Sequence, residues 1–313
     1  PPYEDSPPER ANGLLAFLLR AVDGAPGMLY ACTRAVLRVA SWLHAWGLNI
    51  NLLMYRLGLA HVTRLPAMVI SVGNLSTGGT GKTMAVQRIV RELQAEGRRV
   101  AVLSRGYRRK STESIVVVST PEGVLATPRD AGDEPCLLAY SLPGVPVLVG
   151  KNRRATGRYA IETFGADTLV LDDGYQYWRL HKDREIVLLD ALQPAVRDHL
   201  LPRGFFREPW SHLCRAQEVW ITHAELADPA RVASLTTQVR RYAPAVMLRY
   251  TEHMPTMFRA ADGATMRLDL LRGQRVLALS GLGNPRQFES MLTSLYRNAF
   301  RCCSCDCVNC IHH

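Results

Sequence analysis

Three short acidic or basic groupings in this sequence have the residue types and spacing that phosphate chemistry needs. They are Gly81-Lys82-Thr83, the pair Asp133-Glu134 and the pair Asp172-Asp173. A lysine amine beside a threonine hydroxyl, after a glycine-rich turn, can hold triphosphate oxygens and a magnesium ion. A carboxylate across the cleft can take the proton of an attacking hydroxyl. The turn reads Ser76-Thr77-Gly78-Gly79-Thr80-Gly81-Lys82-Thr83. It follows the apolar run Ala67-Met68-Val69-Ile70 and precedes a helical pattern with Val86, Ile89, Val90 and Leu93 on one face. Strand, turn and helix in that order make a nucleotide-phosphate cradle, with backbone N–H groups and the helix dipole aimed at the anion. The usual spacing places glycine at position 76, where this chain has serine; Gly73, Gly78 and Gly79 supply freedom elsewhere.

Asp172 and Asp173 close the apolar run Thr168-Leu169-Val170-Leu171. Successive residues of a strand point to opposite sides, so one carboxylate can face a metal while the other braces the loop. Ala131-Gly132-Asp133-Glu134-Pro135 stands before a helical run and has two readings. Asp133 is either the helix N-cap or the base that accepts a hydroxyl proton, with Glu134 at the metal. Three basic loops, Ser104 to Lys110, Lys151-Asn152-Arg153-Arg154 and Arg203 to Pro209, fall after expected strands or between elements. Together they favour an anionic substrate, because the guanidinium fork donates two hydrogen bonds to one phosphate.

The elements that must position these groups alternate along the chain. Strands are expected at 67–72, 99–103, 114–118, 145–149, 168–171, 185–189 and 218–221, and helices at 82–96, 133–141, 152–164 and 228–241. That rhythm implies an α/β fold, a mostly parallel sheet with helices on both faces and its ligand at the carboxyl ends of the strands. Residues 245–250 and 257–260 read as a hairpin joining this domain to a second, smaller α/β unit. The second unit opens with a strand at 274–280, then the turn Gly281-Leu282-Gly283-Asn284-Pro285 and a helix over 286–296. The expected division is therefore 1–66 for N-terminal helices, 67–243 for the kinase-like domain, 244–272 for the hinge, and 273–313 for an incomplete C-terminal domain.

The 313 residues carry a net charge of +10, which suits an anionic partner such as phosphate or an acidic membrane surface. No nucleic-acid-binding module is recognisable. Residues 13–59 are apolar and studded with Arg20, Arg34, Arg38 and Arg56. The uncharged window between Arg38 and Arg56 is too polar and short for a spanning helix. It suits either a helix lying in the bilayer interface or a helical hairpin packed on the main domain. Five of the eight cysteines crowd into the last dozen residues, with His312 and His313 behind them. Their spacing matches no zinc framework, and no metal is assigned there.

The phosphate loop from Val72 to Thr83, Ser104-Arg105-Gly106-Tyr107, Gly132-Asp133-Glu134-Pro135, Asp172-Asp173-Gly174-Tyr175-Gln176 and Arg207-Glu208-Pro209 occur in that order. Together they resemble the tetraacyldisaccharide 4′-kinase family over about residues 52–288. The resemblance implies a P-loop kinase-like fold of two α/β domains joined by a short hinge, with membrane-associating N-terminal helices. It implies ATP- and Mg²⁺-dependent phosphorylation of the 4′-hydroxyl of a lipid A disaccharide precursor, giving lipid IVA, at the cytoplasmic face of the inner membrane. By the same resemblance Ser76 to Thr83 bind the nucleotide, Lys82, Asp133, Asp172 and Asp173 are catalytic, and Thr83 and Glu134 hold the metal. Arg153, Gln176, Arg207 and Glu208 fall on positions lining the substrate cleft. A membrane-docking ATPase that acts as a nucleotide switch is the alternative, although it has no need of Gly-Asp-Glu-Pro and Arg-Glu-Pro. Three departures stand out: Tyr177 replaces the family's usual histidine, Met84 its usual proline, and the Asp-His-His segment expected further on is not found. A polypeptide lacking that segment is expected to be a weak or inactive kinase.

Overall fold

Strands made wholly of apolar residues can only sit where both faces are covered, which makes them central and parallel. β2 (Val100–Ser104), β6 (Thr168–Asp172) and β8 (Glu218–Thr222) are buried at every position. The computed structural model describes residues 13–106, 109–252, 257–259, 264–271, 276–280 and 300–304. Its main sheet has nine strands in the order β4-β3-β5-β2-β6-β1-β7-β8-β9. β1 (Met68–Asn74) lies between β6 and β7 (Arg184–Asp190), parallel to both. β5 (Val147–Val149) runs parallel to β2. Only β3 (Val116–Thr120) is reversed, antiparallel both to β5 and to the short edge strand β4 (Gly123–Val124). Each expected strand up to β8 is present, within a few residues of its expected ends.

Helices cover both faces, as alternation along the strands requires. On one face Val86, Ile89, Val90 and Leu93 of α3 (Lys82–Ala95) pack with Leu138 of α5 (Asp133–Ser141) over Ile70, Val72, Ile186 and Leu188. α4 (Pro128–Ala131) is a single turn leading into α5. On the other face lie α6 (Arg153–Phe164) and α7 (Pro229–Tyr242). α3 and α6 leave the carboxyl ends of β1 and β5, while α5 returns to the amino end of β5. All three therefore present their N-termini, with the positive ends of their dipoles, at one sheet edge.

α1 (Gly13–Val22) and α2 (Met28–Arg56) precede the sheet. With 29 residues α2 is about 43 Å long. Ser41 Oγ donates to the Leu200 carbonyl at 2.8 Å, and His44 Nδ1 meets the Leu201 carbonyl at 3.0 Å. Further on, Asn49 Oδ1 lies 3.1 Å from His212 Nε2, and Tyr55 packs edge-on against Trp178. The other side of α2 exposes Val36, Val39, Trp42, Leu43 and Trp46. The hairpin therefore docks on the main domain and keeps an apolar face bare. Among the described residues no helix is long and apolar enough to cross a membrane.

The joining hairpin requires correction. β9 (Met247–Thr251) does not pair with 257–260; it extends the main sheet, parallel to β8, so the sheet continues past residue 243. The hairpin is instead β10 (Met257–Arg259) with β11 (Thr265–Arg267). β12 (Val276–Ser280) and β13 (Phe300–Ser304) form a separate parallel pair, which places Cys302 and Cys303 in a strand. The turn at 281–285, the helix at 286–296, Tyr107, Arg108, Cys305, Cys307, Cys310, His312 and His313 lie outside the described residues.

Gly73 near the end of β1 is where the sheet and the loop after β6 approach most closely. A Cβ there would stand 2.6 Å from Tyr175 Cβ and 2.9 Å from its backbone nitrogen. Backbone cannot yield as a flexible side-chain tip can. Gly73→Ala is expected to destabilise the fold by about 1–3 kcal/mol, read as a fall of several degrees in calorimetric Tm; an unchanged Tm would show that the approach is looser.

Candidate active site

The phosphate loop is anchored at both flanks. Arg207 N–H donates to the Leu75 carbonyl at 2.6 Å and Thr77 N–H to the Phe205 carbonyl at 2.7 Å. Ser76 is buried in an antiparallel bridge to Phe206. An extended, paired residue has no use for a glycine's freedom, which accounts for serine at that position. Gly81 does need it: it caps α3 with φ of 81°, a left-handed conformation that side chains disfavour. Asn74 Nδ2 donates to Thr80 Oγ1 at 2.9 Å, and Thr222 Oγ1 holds the Thr80 carbonyl at 3.2 Å. Gly78 and Gly79 remain exposed at the loop tip, and Lys82 and Thr83 are half-buried at the start of α3.

Asp173 also adopts a left-handed backbone, φ 54°. That turn aims its carboxylate at Arg207, whose two terminal nitrogens donate to Oδ2 and Oδ1 at 2.8 and 2.7 Å. Lys82 Nζ stands 3.9 Å from the same carboxylate. Burial works to raise the pKa of Asp173, but the hydrogen bonds and charge of Arg207, with Lys82 and Arg153 behind them, hold it below the ordinary range. Its neighbour is pushed the opposite way. Asp172 is buried and accepts from Ser104 Oγ at 3.0 Å. Burial first, then the charge of Asp173, raise its pKa to about 6, and Glu134 adds to the rise. Glu134, on α5, is thus within electrostatic reach of the end of β6.

Asp133 is the first residue of α5, exposed, and Gly132 takes the N-cap position instead. The capping reading is therefore set aside, and among the described residues no hydrogen bond or ion pair engages the carboxylate at this helix N-terminus. Arg153, first residue of α6, is almost fully buried. Burial lowers its pKa, the charges of Asp173 and Asp172 oppose that, and Arg105 adds to the lowering. Its guanidinium lies over the Tyr177 ring at 5.4 Å. Gln176 Nε2 donates to the Asn74 carbonyl at 3.0 Å, and its Oε1 is buried without a partner among the described residues.

Glu208 departs from expectation. It is fully buried, with Oε2 against His212 Nδ1 at 2.7 Å and Arg215 Nη2 at 2.9 Å. A buried carboxylate needs such partners, and their arrangement ties the Arg-Glu-Pro segment to α2 through His212 and Asn49. Asn74 escaped the sequence reading, yet it bonds Arg207, Gln176 and Thr80 together. A polar residue ending an apolar strand was its signal. Also unforeseen is a cavity of about 440 Å³ between α2 and the loop after β6, lined by Asn51, Tyr55, Lys151, Arg154, Gln176, Tyr177, Trp178 and Arg179.

The Asp172 shift carries a stability consequence. Its pKa is higher folded, about 6, than unfolded, 3.8, so the folded state binds the extra proton between those values. Stability falls as pH rises through that window, by on the order of 3 kcal/mol. Asp172→Asn keeps an acceptor for Ser104 and should unfold at higher denaturant than wild type above pH 7, with the two converging near pH 4. Parallel pH profiles would show that Asp172 is not buried as a carboxylate.

A match to the tetraacyldisaccharide-1-P 4′-kinase family covers residues 33–303. A tetraacyldisaccharide 4′-kinase of Anaeromyxobacter dehalogenans is 43% identical over 280 residues, 88% of this chain and 70% of that protein. One from Syntrophus aciditrophicus is 42% identical over 267 residues, 83% of this chain and 71% of that protein. A crystal structure of LpxK from Aquifex aeolicus, in complex with ATP, superposes with a TM-score of 0.70 at 32% identity, covering 87% of this chain and 82% of that one. With this loop, these paired carboxylates and that extent of match, the chain belongs to the tetraacyldisaccharide 4′-kinase family.

Proposed function

We propose that the chain transfers the γ-phosphoryl group of ATP to the 4′-hydroxyl of a tetraacylated glucosamine disaccharide 1-phosphate, the lipid A precursor, giving lipid IVA. One observation carries the reading. Lys82, the Arg207–Asp173 pair and Asp172 meet at the start of α3, with Glu134 in electrostatic reach from α5. The relatives named above bear the kinase name, and the Aquifex aeolicus structure holds ATP.

The nucleotide's phosphates lie against the N–H groups of Gly78 to Lys82, where the α3 dipole and the Lys82 ammonium offset their charge. Arg207 fixes Asp173, and Asp173 in turn holds Lys82 toward the loop. Asp133 receives the proton of the sugar hydroxyl as the oxygen attacks in line. A magnesium ion suits the hard oxygen donors here, and the Thr83 hydroxyl with the Glu134 and Asp172 carboxylates would hold it. When bound it neutralises charge on the transferred group. The cavity beside Gln176 suits the polar head of the acceptor, its cations and rings matching a phosphorylated sugar. The bare apolar face of α2 lies on the inner membrane's cytoplasmic surface, with the acyl chains left in the bilayer.

Transfer of ³²P from ATP to the disaccharide acceptor in detergent tests the reading. Lys82→Met should lose both nucleotide binding and product. Asp133→Ala should keep binding and lose about 10²–10⁴-fold in kcat. Label released only as free phosphate, with no lipid product from wild type, would replace the kinase by a nucleotide switch.

A further inference from the structure

A second cationic site lies at the other end of α2 and belongs to no step of phosphoryl transfer. Arg34 and Arg38 are four residues apart, so they share one side of the helix. Ser41, three residues on, accepts the Arg203 N–H at 3.0 Å and so brings the 200–206 loop against that side. Arg34 Nη1 donates to the Ala25 carbonyl at 2.8 Å, and Arg203 Nη1 reaches the Val22 carbonyl at 3.4 Å. Both guanidiniums thus converge on the end of α1. Arg203 is only 7% exposed, and its Nε is buried with no partner among the described residues. Arg38 is exposed and has no ion-pair partner among the described residues.

Among the described residues, the acids nearest these charges are already paired. Asp23 is taken by Arg197 at 2.7 and 2.8 Å, and Asp198 by Arg231 at 2.6 and 2.9 Å. Residues 13–66 hold five arginines against that one aspartate. Burial, then the charges of Arg38 and Arg34, push the pKa of Arg203 down, and burial with Arg203 and Arg38 does the same to His199. Like charges gathered around an unbonded buried donor are unfavourable alone and become favourable around a bound anion. The next turns of α2 expose Val39, Trp42, Leu43 and Trp46, the side chains that settle at a headgroup boundary.

We propose that Arg34, Arg38 and Arg203 form a binding site for the phosphate of an anionic phospholipid headgroup, fixing the depth and direction in which α2 meets the bilayer. This rests on the membrane-docking reading above. The site is distinct from the acceptor cavity: Tyr55 lines that cavity, and 17 residues of helix, about 26 Å, separate it from Arg38.

Co-sedimentation with phosphatidylcholine vesicles, with and without phosphatidylglycerol, tests it. Wild type is expected to prefer the anionic vesicles. Arg38→Gln, an exposed change that leaves the fold intact, should lose roughly fivefold of that preference, and Arg203→Met a similar amount. Arg158→Gln, an exposed arginine on α6, should lose none. Binding to phosphatidylcholine alone should survive in all three variants. An undiminished preference in Arg38→Gln, or an equal loss in Arg158→Gln, would overturn the site in favour of diffuse attraction. A raised KM of Arg38→Gln for detergent-dispersed acceptor would reassign the cluster to the acceptor's own phosphate. Wild type that binds neither vesicle would remove the docking reading itself.

Discussion

The cleft depends on one charge arrangement, the carboxylate of Asp173 gripped by both terminal nitrogens of Arg207 with Lys82 beside it. Two adjacent carboxylates at the end of a buried strand repel each other and lose hydration. Arg207 resolves this for one of them and leaves the other to carry the strain. The consequence is a division of ionisation, with Asp173 held charged and Asp172 pushed up to about 6. Neighbouring acids with separated pKa values are how a single site holds a fixed anion and an adjustable one together.

Arg207 can do this because of where its segment is pinned. Residues 205–207 run along the phosphate loop, bonded to Leu75 and Thr77. Just beyond them, Glu208 grips His212, and His212 touches Asn49 of α2. The same stretch of chain therefore contacts the phosphate loop on one side and α2, with its bare apolar face, on the other. Tyr175 reinforces the link, since its hydroxyl donates to the His212 carbonyl at 2.5 Å while its Cβ lies against Gly73. Seating of α2 and the posture of the carboxylates are mechanically joined through buried polar bonds.

Much of the sheet was legible because its central strands carry apolar runs buried on both faces. β9 was misread for the opposite reason. Its residues are exposed or half-buried, so its composition says nothing about partners, and a parallel pairing across α7 leaves no local trace. Lys82, Asp172 and Asp173 were legible from their place after strands. Glu208 was not, because a charged residue reads as surface until the histidine and arginine that neutralise it are known. Asn74 and Arg203 share that fate: their importance comes from contacts with residues more than a hundred positions away.

A crystal structure with a non-hydrolysable ATP analogue and magnesium bears most directly on the arrangement. The terminal phosphate should touch Lys82 Nζ, with the Asp133 carboxylate facing its open side across a gap that one hydroxyl, hydrogen-bonded at about 2.6–3.2 Å, can fill. A terminal phosphate away from Lys82, or an Asp133 side chain turned from it, would contradict the arrangement.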